Sequence, residues 1–274
     1  NFAQAPLLGS LLDPARFLKD DLATSNVEAL RELVAQALAS ESTGTPLSEV
    51  DSERDGQTLE LALAARGLLD AARLLSAGYH LVITNVPYLA RGKQDPFLRD
   101  FADSHYAESR NDLANMFLER CIELSTTWSG AVQVVMPQNW LFQATGETQR
   151  TSLLKNKQWL LLARLGAGAF ETISGEVVNV ILLSLGNARP TATSVLSGMD
   201  CSKSRSAADK ASSLQLDELL CTSQLGLLKN PRAVVTFDDL NVSIPRLGNW
   251  IEAYQGLVTG EIERFTRGFY EHQL

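Results

Sequence analysis

Four short, almost continuously apolar runs constrain this chain more than any other feature: Leu81-Val82-Ile83-Thr84, Ala131 to Met136, Trp159 to Leu165 and Val177 to Leu185. Each is short for a helix and too uniformly apolar for a strand with one face in water, so they read as strands buried on both faces. Stretches with apolar residues at helical spacing alternate with them. The first has Ser25 and Glu28 at capping-box spacing with Val27, Leu30, Leu33 and Val34 following. Another runs from Leu59 to Leu75, with Gly78 where a C-terminal glycine belongs. Leu113, Met116, Phe117, Cys121 and Leu124 mark the next face, and Gln149 to Asn156 another helix. The alternation predicts an α/β sheet covered by helices on both faces. Leu89 to Asn111 reads as a long polar loop. The pattern stops near Asn187, and a Ser/Thr/Ala/Lys-rich stretch to about Asp217 predicts a linker or surface excursion, followed by a strand at Ala233 to Phe237.

Composition narrows the chemistry. The 274 residues carry 24 Lys and Arg against 32 Asp and Glu, a net charge of −8. That balance disfavours a stand-alone nucleic-acid binder, because phosphate neutralisation needs clustered cations. It leaves room for an enzyme that handles DNA with help from another domain. No apolar run reaches the ~18 residues that span a bilayer. Cys121, Cys201 and Cys221 are an odd, widely spaced set without a Cys-x-x-Cys pair, which predicts a reducing, cytoplasmic setting and no cysteine-built metal site. The start at Asn1, with no initiator Met and no leader, predicts a fragment or a processed product.

The chemistry-bearing candidate is Asn85-Val86-Pro87-Tyr88, placed where the first apolar strand ends. Ligands of open α/β sheets bind beyond the carboxyl ends of the strands. Asn85 offers a carboxamide oxygen and Tyr88 a flat face, while Pro87 has fixed φ and no N–H. Together they suit an exocyclic amine and the ring that bears it. The alternative is a plain strand-to-loop turn, since Asn and Pro are common turn residues. Gly166-Ala167-Gly168-Ala169-Phe170 has the Gly-x-Gly form of a cofactor loop, but the strand after it ends in Gly186-Asn187 with no carboxylate for a ribose. It reads instead as a turn that aims Phe170. His80, His105 and His272 lack ligand spacing. Arg91, Lys93, Arg99 and Arg110 suggest phosphate contacts, Arg91 and Lys93 foremost, although Asp95, Asp100, Asp103 and Glu108 make their loop nearly neutral.

From Leu81 to Leu185 the chain resembles the second half of the gamma-type adenine-specific DNA methyltransferases found in type IIG restriction-modification enzymes and in the PglX methylases of phage-exclusion systems. The family's Asn-Pro-Pro-Tyr stands here as Asn85-Val86-Pro87-Tyr88. Its Asp-Leu helix matches Asp112-Leu113 through Phe117-Leu118-Glu119, and its Gly-led strand matches Gly130 to Pro137-Gln138-Asn139-Trp140-Leu141. Gly168-Ala169-Phe170 and the strand Val178 to Leu183 follow in order. Gln255 to Gly260, with Arg264 and Phe265, is similar to the opening of the family's target-recognition domain. Val86 departs from the pattern by replacing one proline, which puts rate in doubt more than reaction type.

The resemblance implies a partial Rossmann-like sheet, mostly parallel with one antiparallel strand. Residues 1–187 would form the second half of the catalytic domain, 188–253 a linker or excursion, and 254–274 the start of target recognition. It implies methyl transfer from S-adenosyl-L-methionine to adenine N6 of a flipped-out base. Asn85, Pro87 and Tyr88 would be catalytic, with Tyr88 and Phe170 stacking on the base. Phe117 and Pro87 would border the cofactor, Arg91 and Lys93 would touch DNA, and no metal is involved. The family's cofactor loop has no match in residues 1–80. The chain by itself is therefore expected to bind the methyl donor poorly and to leave Leu81 to Thr84 as an open sheet edge, suited to a homodimer. Two other readings stand beside this one: a non-catalytic DNA-recognition or assembly subunit that keeps the fold, and an unrelated α/β protein.

Overall fold

The computed structural model describes residues 5–14, 16, 64, 66–126, 130–169, 178–204, 206–237 and 251. The chain divides into two units, Asn1–Asp238 and Asp239–Leu274. The first is built on a six-stranded sheet of β1 (Leu81–Asn85), β2 (Ala131–Pro137), β3 (Gln158–Gly166), β4 (Val180–Gly186), β5 (Val195–Asp200) and β6 (Leu220–Ser223), in the order β1-β2-β4-β3-β5-β6. β1 and β2 are parallel, as are β3 and β5, and all four point the same way. β4 runs against β2 and β3, in keeping with the one antiparallel strand expected, and lies between them. β6 runs against β5 and adds a second reversal at the far edge.

The alternation of apolar residues on the central strands produces two packed faces. On one, Val132, Val134 and Met136 of β2 and Ile181, Leu183 and Leu185 of β4 are buried against Ala114, Leu118 and Cys121 of the Leu113–Leu124 helix and Leu153 and Leu154 of the Glu147–Asn156 helix. On the other, Ala163, Leu165, Leu182 and Met199 meet Leu214 of the Ala207–Leu216 helix. A further core forms where Leu8, Leu11 and Leu12 reach Leu98, Ala102, Tyr106 and Met116. Arg120 pins that junction from a buried position, donating to the carbonyls of Ser10 (3.0 Å), Leu12 (3.0 Å) and Leu75 (2.7 Å).

Three expectations are corrected. Leu89 to Asn111 is not all loop, because it contains a 3-10 turn (Arg91–Lys93) and a helix, Pro96–His105. Asp95 caps that helix by accepting from Phe97 N–H, and Pro96 occupies its first turn, where the missing N–H costs nothing. The stretch expected to leave the domain after Asn187 instead supplies β5, the Ala207–Leu216 helix and β6 to the same sheet. Ala233 to Phe237 is not a strand: Pro231–Ala233 is a 3-10 turn, and residues 234–237 have no regular structure. They pack nonetheless. Val235 is buried in the main core, its N–H donates to Leu141 O at 3.2 Å, and a Cβ on Gly198 of β5 would overlap the Phe237 ring. The expected helix behind Ser25 and the segment 254–274 lie outside the described residues, as does Phe170.

Candidate functional site

β1 ends at Asn85, so the loop that follows emerges at the carboxyl end of the parallel pair β1/β2, opposite Val135. The strand's alternation exposes Leu81, Ile83 and Asn85 on one side and half-buries Val82 and Thr84 on the other. Asn85 therefore faces outward at the rim of the sheet. Val86 is buried at 3% exposure and anchors the loop in the main core, with its N–H donating to Val135 O at 3.3 Å. The departure from the family's double proline thus supplies an apolar anchor and a ladder hydrogen bond that proline could not make. Pro87 is exposed and Tyr88 half-buried against the same core.

Tyr88 and Asn85 are brought together: the phenol donates to Asn85 Oδ1 at 3.3 Å. Burial, and then the charge of Asp112, raise the Tyr88 hydroxyl above the usual phenol range, so it remains a donor at neutral pH. Asp112 ties this loop to the helix beside it. Its carboxylate caps the Leu113–Leu124 helix by accepting from Ala114 N–H at 2.9 Å and also accepts from the Leu89 backbone. Leu113 N–H donates to Leu89 O at 3.0 Å, and Arg91 N–H to Asn111 O at 2.9 Å. Burial pushes the Asp112 carboxyl up despite those two N–H donors. The segment after Tyr88 is thereby stitched to a helix N-terminus over three residues.

A cavity of about 230 Å³ adjoins this stitch, lined among others by Ala90, Asp112, Asn115, Asn139 and Trp140. Behind it Asn115 Nδ2 donates to Gln149 Oε1 at 2.5 Å, while Gln149 Nε2 donates to Asn115 O and Glu119 Oε1, both at 3.1 Å. Burial drives the Glu119 carboxyl up to about 7, opposed by hydrogen bonds from Ser109 and Gln149. Arg150, fully buried, holds the cavity's far wall by donating to Trp140 O and to Gln143 O (2.8 Å). The same guanidinium reaches Arg232 O (2.7 Å) and Ala233 O (3.3 Å).

The remaining expected site residues are dispersed. Phe117 is half-buried on its helix and packs against both the main core and the N-terminal one. Arg91 is drawn into an ion pair with Asp103 at 2.8 Å, which Arg110 shares at 3.0 Å, while Lys93 is exposed beside it. Among the described residues, no group of His, Cys, Asp and Glu is arranged to hold a metal ion, and no helix is long and apolar enough to cross a membrane. Sequence reasoning assigned no role to Asp112, Trp140 or Arg150. The signal for Asp112 was present in its place just ahead of a helical face. Arg150 gave none, since a buried arginine whose partners are all carbonyls looks like a surface residue in sequence.

An apolar-anchored carboxamide and phenol thus stand side by side at the carboxyl rim of a mixed α/β sheet. The profile of the Eco57I restriction-modification methylase family matches residues 19–170, and the chain belongs to that family. It is 36% identical over 126 residues to the adenine-specific methyltransferase BrxX of Escherichia coli O9:H4 (strain HS), covering 46% of this chain and 10% of that protein. It is 26% identical over 250 residues to the adenine-specific methyltransferase PglX of Lacticaseibacillus casei (strain Zhang), covering 83% of this chain and 20% of that protein. A type I restriction-modification methyltransferase subunit from Streptococcus thermophilus overlaps 58% of this chain and 37% of its own, at 17% identity and a TM-score of 0.42. The chain thus spans a fifth or less of the length of the two curated relatives.

Proposed function

We propose that this chain forms the target-base end of an adenine-N6 DNA methyltransferase acting in a cytoplasmic restriction-modification or phage-defence system. The observation that carries the reading is the outward-facing Asn85 with Tyr88 hydrogen-bonded to it at the rim of β1. A carboxamide oxygen has two lone pairs. One accepts from Tyr88 and the other is available to an N6–H of a flipped adenine, with the backbone carbonyl after Asn85 accepting the second N6–H. Drawing both amino hydrogens toward acceptors aims the N6 lone pair away from the ring plane and stabilises the positive charge that develops there during attack. The Tyr88 face takes the base by stacking, worth on the order of 1–3 kcal/mol. Phe170 is proposed as a second stacking surface.

The methyl donor of this reading is S-adenosyl-L-methionine, which when bound supplies an electrophilic methyl group on a sulfonium. The residues present fit one border of it: the half-buried Phe117 ring and exposed Pro87 offer apolar surface, and Tyr88 packs on the same core as Phe117. Lys93 is proposed to touch the DNA backbone, with Arg91 joining it once released from Asp103. The outer edge of β1, where Leu81 is 51% and Ile83 66% exposed, is proposed to pair with a second copy of the chain. Sedimentation equilibrium reads that association directly, and a monomer at all concentrations would oppose it. The catalytic reading is tested by tritiated methyl incorporation into DNA by the complete methyltransferase carrying these residues. Asn85→Ala should remove incorporation while leaving the protein folded, and retained incorporation would contradict it.

A further inference from the structure

A second cleft lies at the opposite end of the sheet. Gly186 of β4 pairs with Ala131 and Gln158, the first residues of β2 and β3, so Asn187 and Lys157 sit at the amino end of the parallel strands. β1 alone separates that level from Asn85 by roughly 15 Å at about 3.3 Å per residue. The cleft has a volume of about 550 Å³ and is lined by Glu123, Ser125, Asn156, Lys157, Asn187 and Arg189, among others. That size falls in the range of roughly 300–1,000 Å³ typical of small-molecule pockets.

Several acceptors around it are already engaged. Glu123 receives Arg16 at one oxygen, and Arg120 (3.2 Å) and Tyr106 (3.3 Å) at the other. Ser125 Oγ donates to Ile122 O at 2.8 Å and accepts from Asn187 Nδ2 at 2.8 Å, while Asn187 Oδ1 accepts from Lys157. Three carbonyls at the end of the Glu147–Asn156 helix are engaged too: Leu153 O by Lys157 N–H (2.9 Å), and Leu154 O and Lys157 O by Gln224 (2.9 and 2.7 Å). The other ammonium hydrogens of Lys157 and the guanidinium of exposed Arg189 remain as donors, and neither cation has a carboxylate within ion-pair distance among the described residues. Both cations line the cleft, and burial, then the charge of Arg189, lower the pKa of the Lys157 ammonium.

We infer that the cleft between Lys157 and Arg189 is an anion site that takes a phosphate ester, at the end of the sheet away from Asn85. A phosphate supplies acceptors and negative charge to Lys157 and Arg189, and a guanidinium matches it with paired N–H donors. The inference is independent of the base-binding reading.

Isothermal titration of the chain at low salt with inorganic pyrophosphate, with ATP in EDTA, and with a short DNA duplex tests it. Arg189→Gln carries the test, because that side chain is exposed and its loss should leave the circular dichroism spectrum unchanged; Lys157→Gln is the second variant. At least one probe should bind and should lose about tenfold or more in Arg189→Gln. Loss with pyrophosphate or ATP makes the ligand a free phosphate compound, and loss with the duplex alone makes it a nucleic-acid backbone. Absence of binding by all three, or binding indifferent to Arg189→Gln in a folded protein, would overturn the assignment.

Discussion

The Tyr88 hydroxyl donates to Asn85 Oδ1 at 3.3 Å, so the phenol and the carboxamide proposed to take the base orient one another in the free protein. Removing only the hydroxyl separates these contributions. Tyr88→Phe keeps the ring and loses a hydrogen bond worth about 0.5–1.5 kcal/mol. Base binding should weaken by no more than about tenfold, as read by fluorescence titration.

Asp112 holds the same loop from the other side. Asp112→Ala removes the cap on Ala114 N–H and the tie to Leu89. A lost cap costs about 1 kcal/mol, and the urea midpoint should fall accordingly. Asn is itself a good cap, so Asp112→Asn should recover most of that loss.

Glu119 gives the protein a pH signature. Its carboxyl rises from 4.5 to about 7 on folding, so between those values the folded state holds more protons than the unfolded one. Stability contributed by this group is present below pH 4.5 and declines as pH rises to about 7. Glu119→Gln should match the parent at pH 4.5 and exceed it at pH 8 in thermal melts. Equal melting differences at both values would contradict the assignment.

Arg150 joins the turn at Trp140 and Gln143 to the return segment at Arg232 and Ala233. Arg150→Met leaves the buried carbonyls of Trp140 and Ala233 short of a donor, with a penalty of about 3 kcal/mol or more expected from urea denaturation. At the neighbouring edge, Gly198→Ala should cost about 1–3 kcal/mol by forcing the Phe237 ring aside. Phe237→Ala in the same chain should relieve that clash, giving a non-additive double-mutant cycle.

Much of this was legible in residue order. The apolar runs became β1 to β4 with shifts of a few residues at their ends, because burial on both faces imposes the same composition that identifies them. Asn85 and Tyr88 were readable because both lie in one short segment leaving a strand. β5 and β6 were not: Val195 to Asp200 contains Ser197 and Gly198, and Leu220 to Ser223 is largely exposed, so neither shows the uninterrupted apolar signal of a central strand. Ala233 to Phe237 carries that signal without being a strand, since its apolar groups fill the core from an extended segment beside β5. Arg91 looked available for phosphate until folding placed Asp103, twelve residues on, against it. Contacts of that kind depend on a helix, Pro96–His105, whose existence rests on the short signal Asp95-Pro96.

The most direct measurement is a titration of this chain against a single-stranded oligonucleotide carrying one 2-aminopurine, which removes the need for base flipping and for a known target sequence. Binding should change the 2-aminopurine fluorescence. Tyr88→Ala should weaken that binding about tenfold or more, in keeping with the stacking energy, while its melting temperature stays near that of the parent. A folded Tyr88→Ala protein that binds and alters 2-aminopurine emission as the parent does would contradict the claim that this rim grips the base.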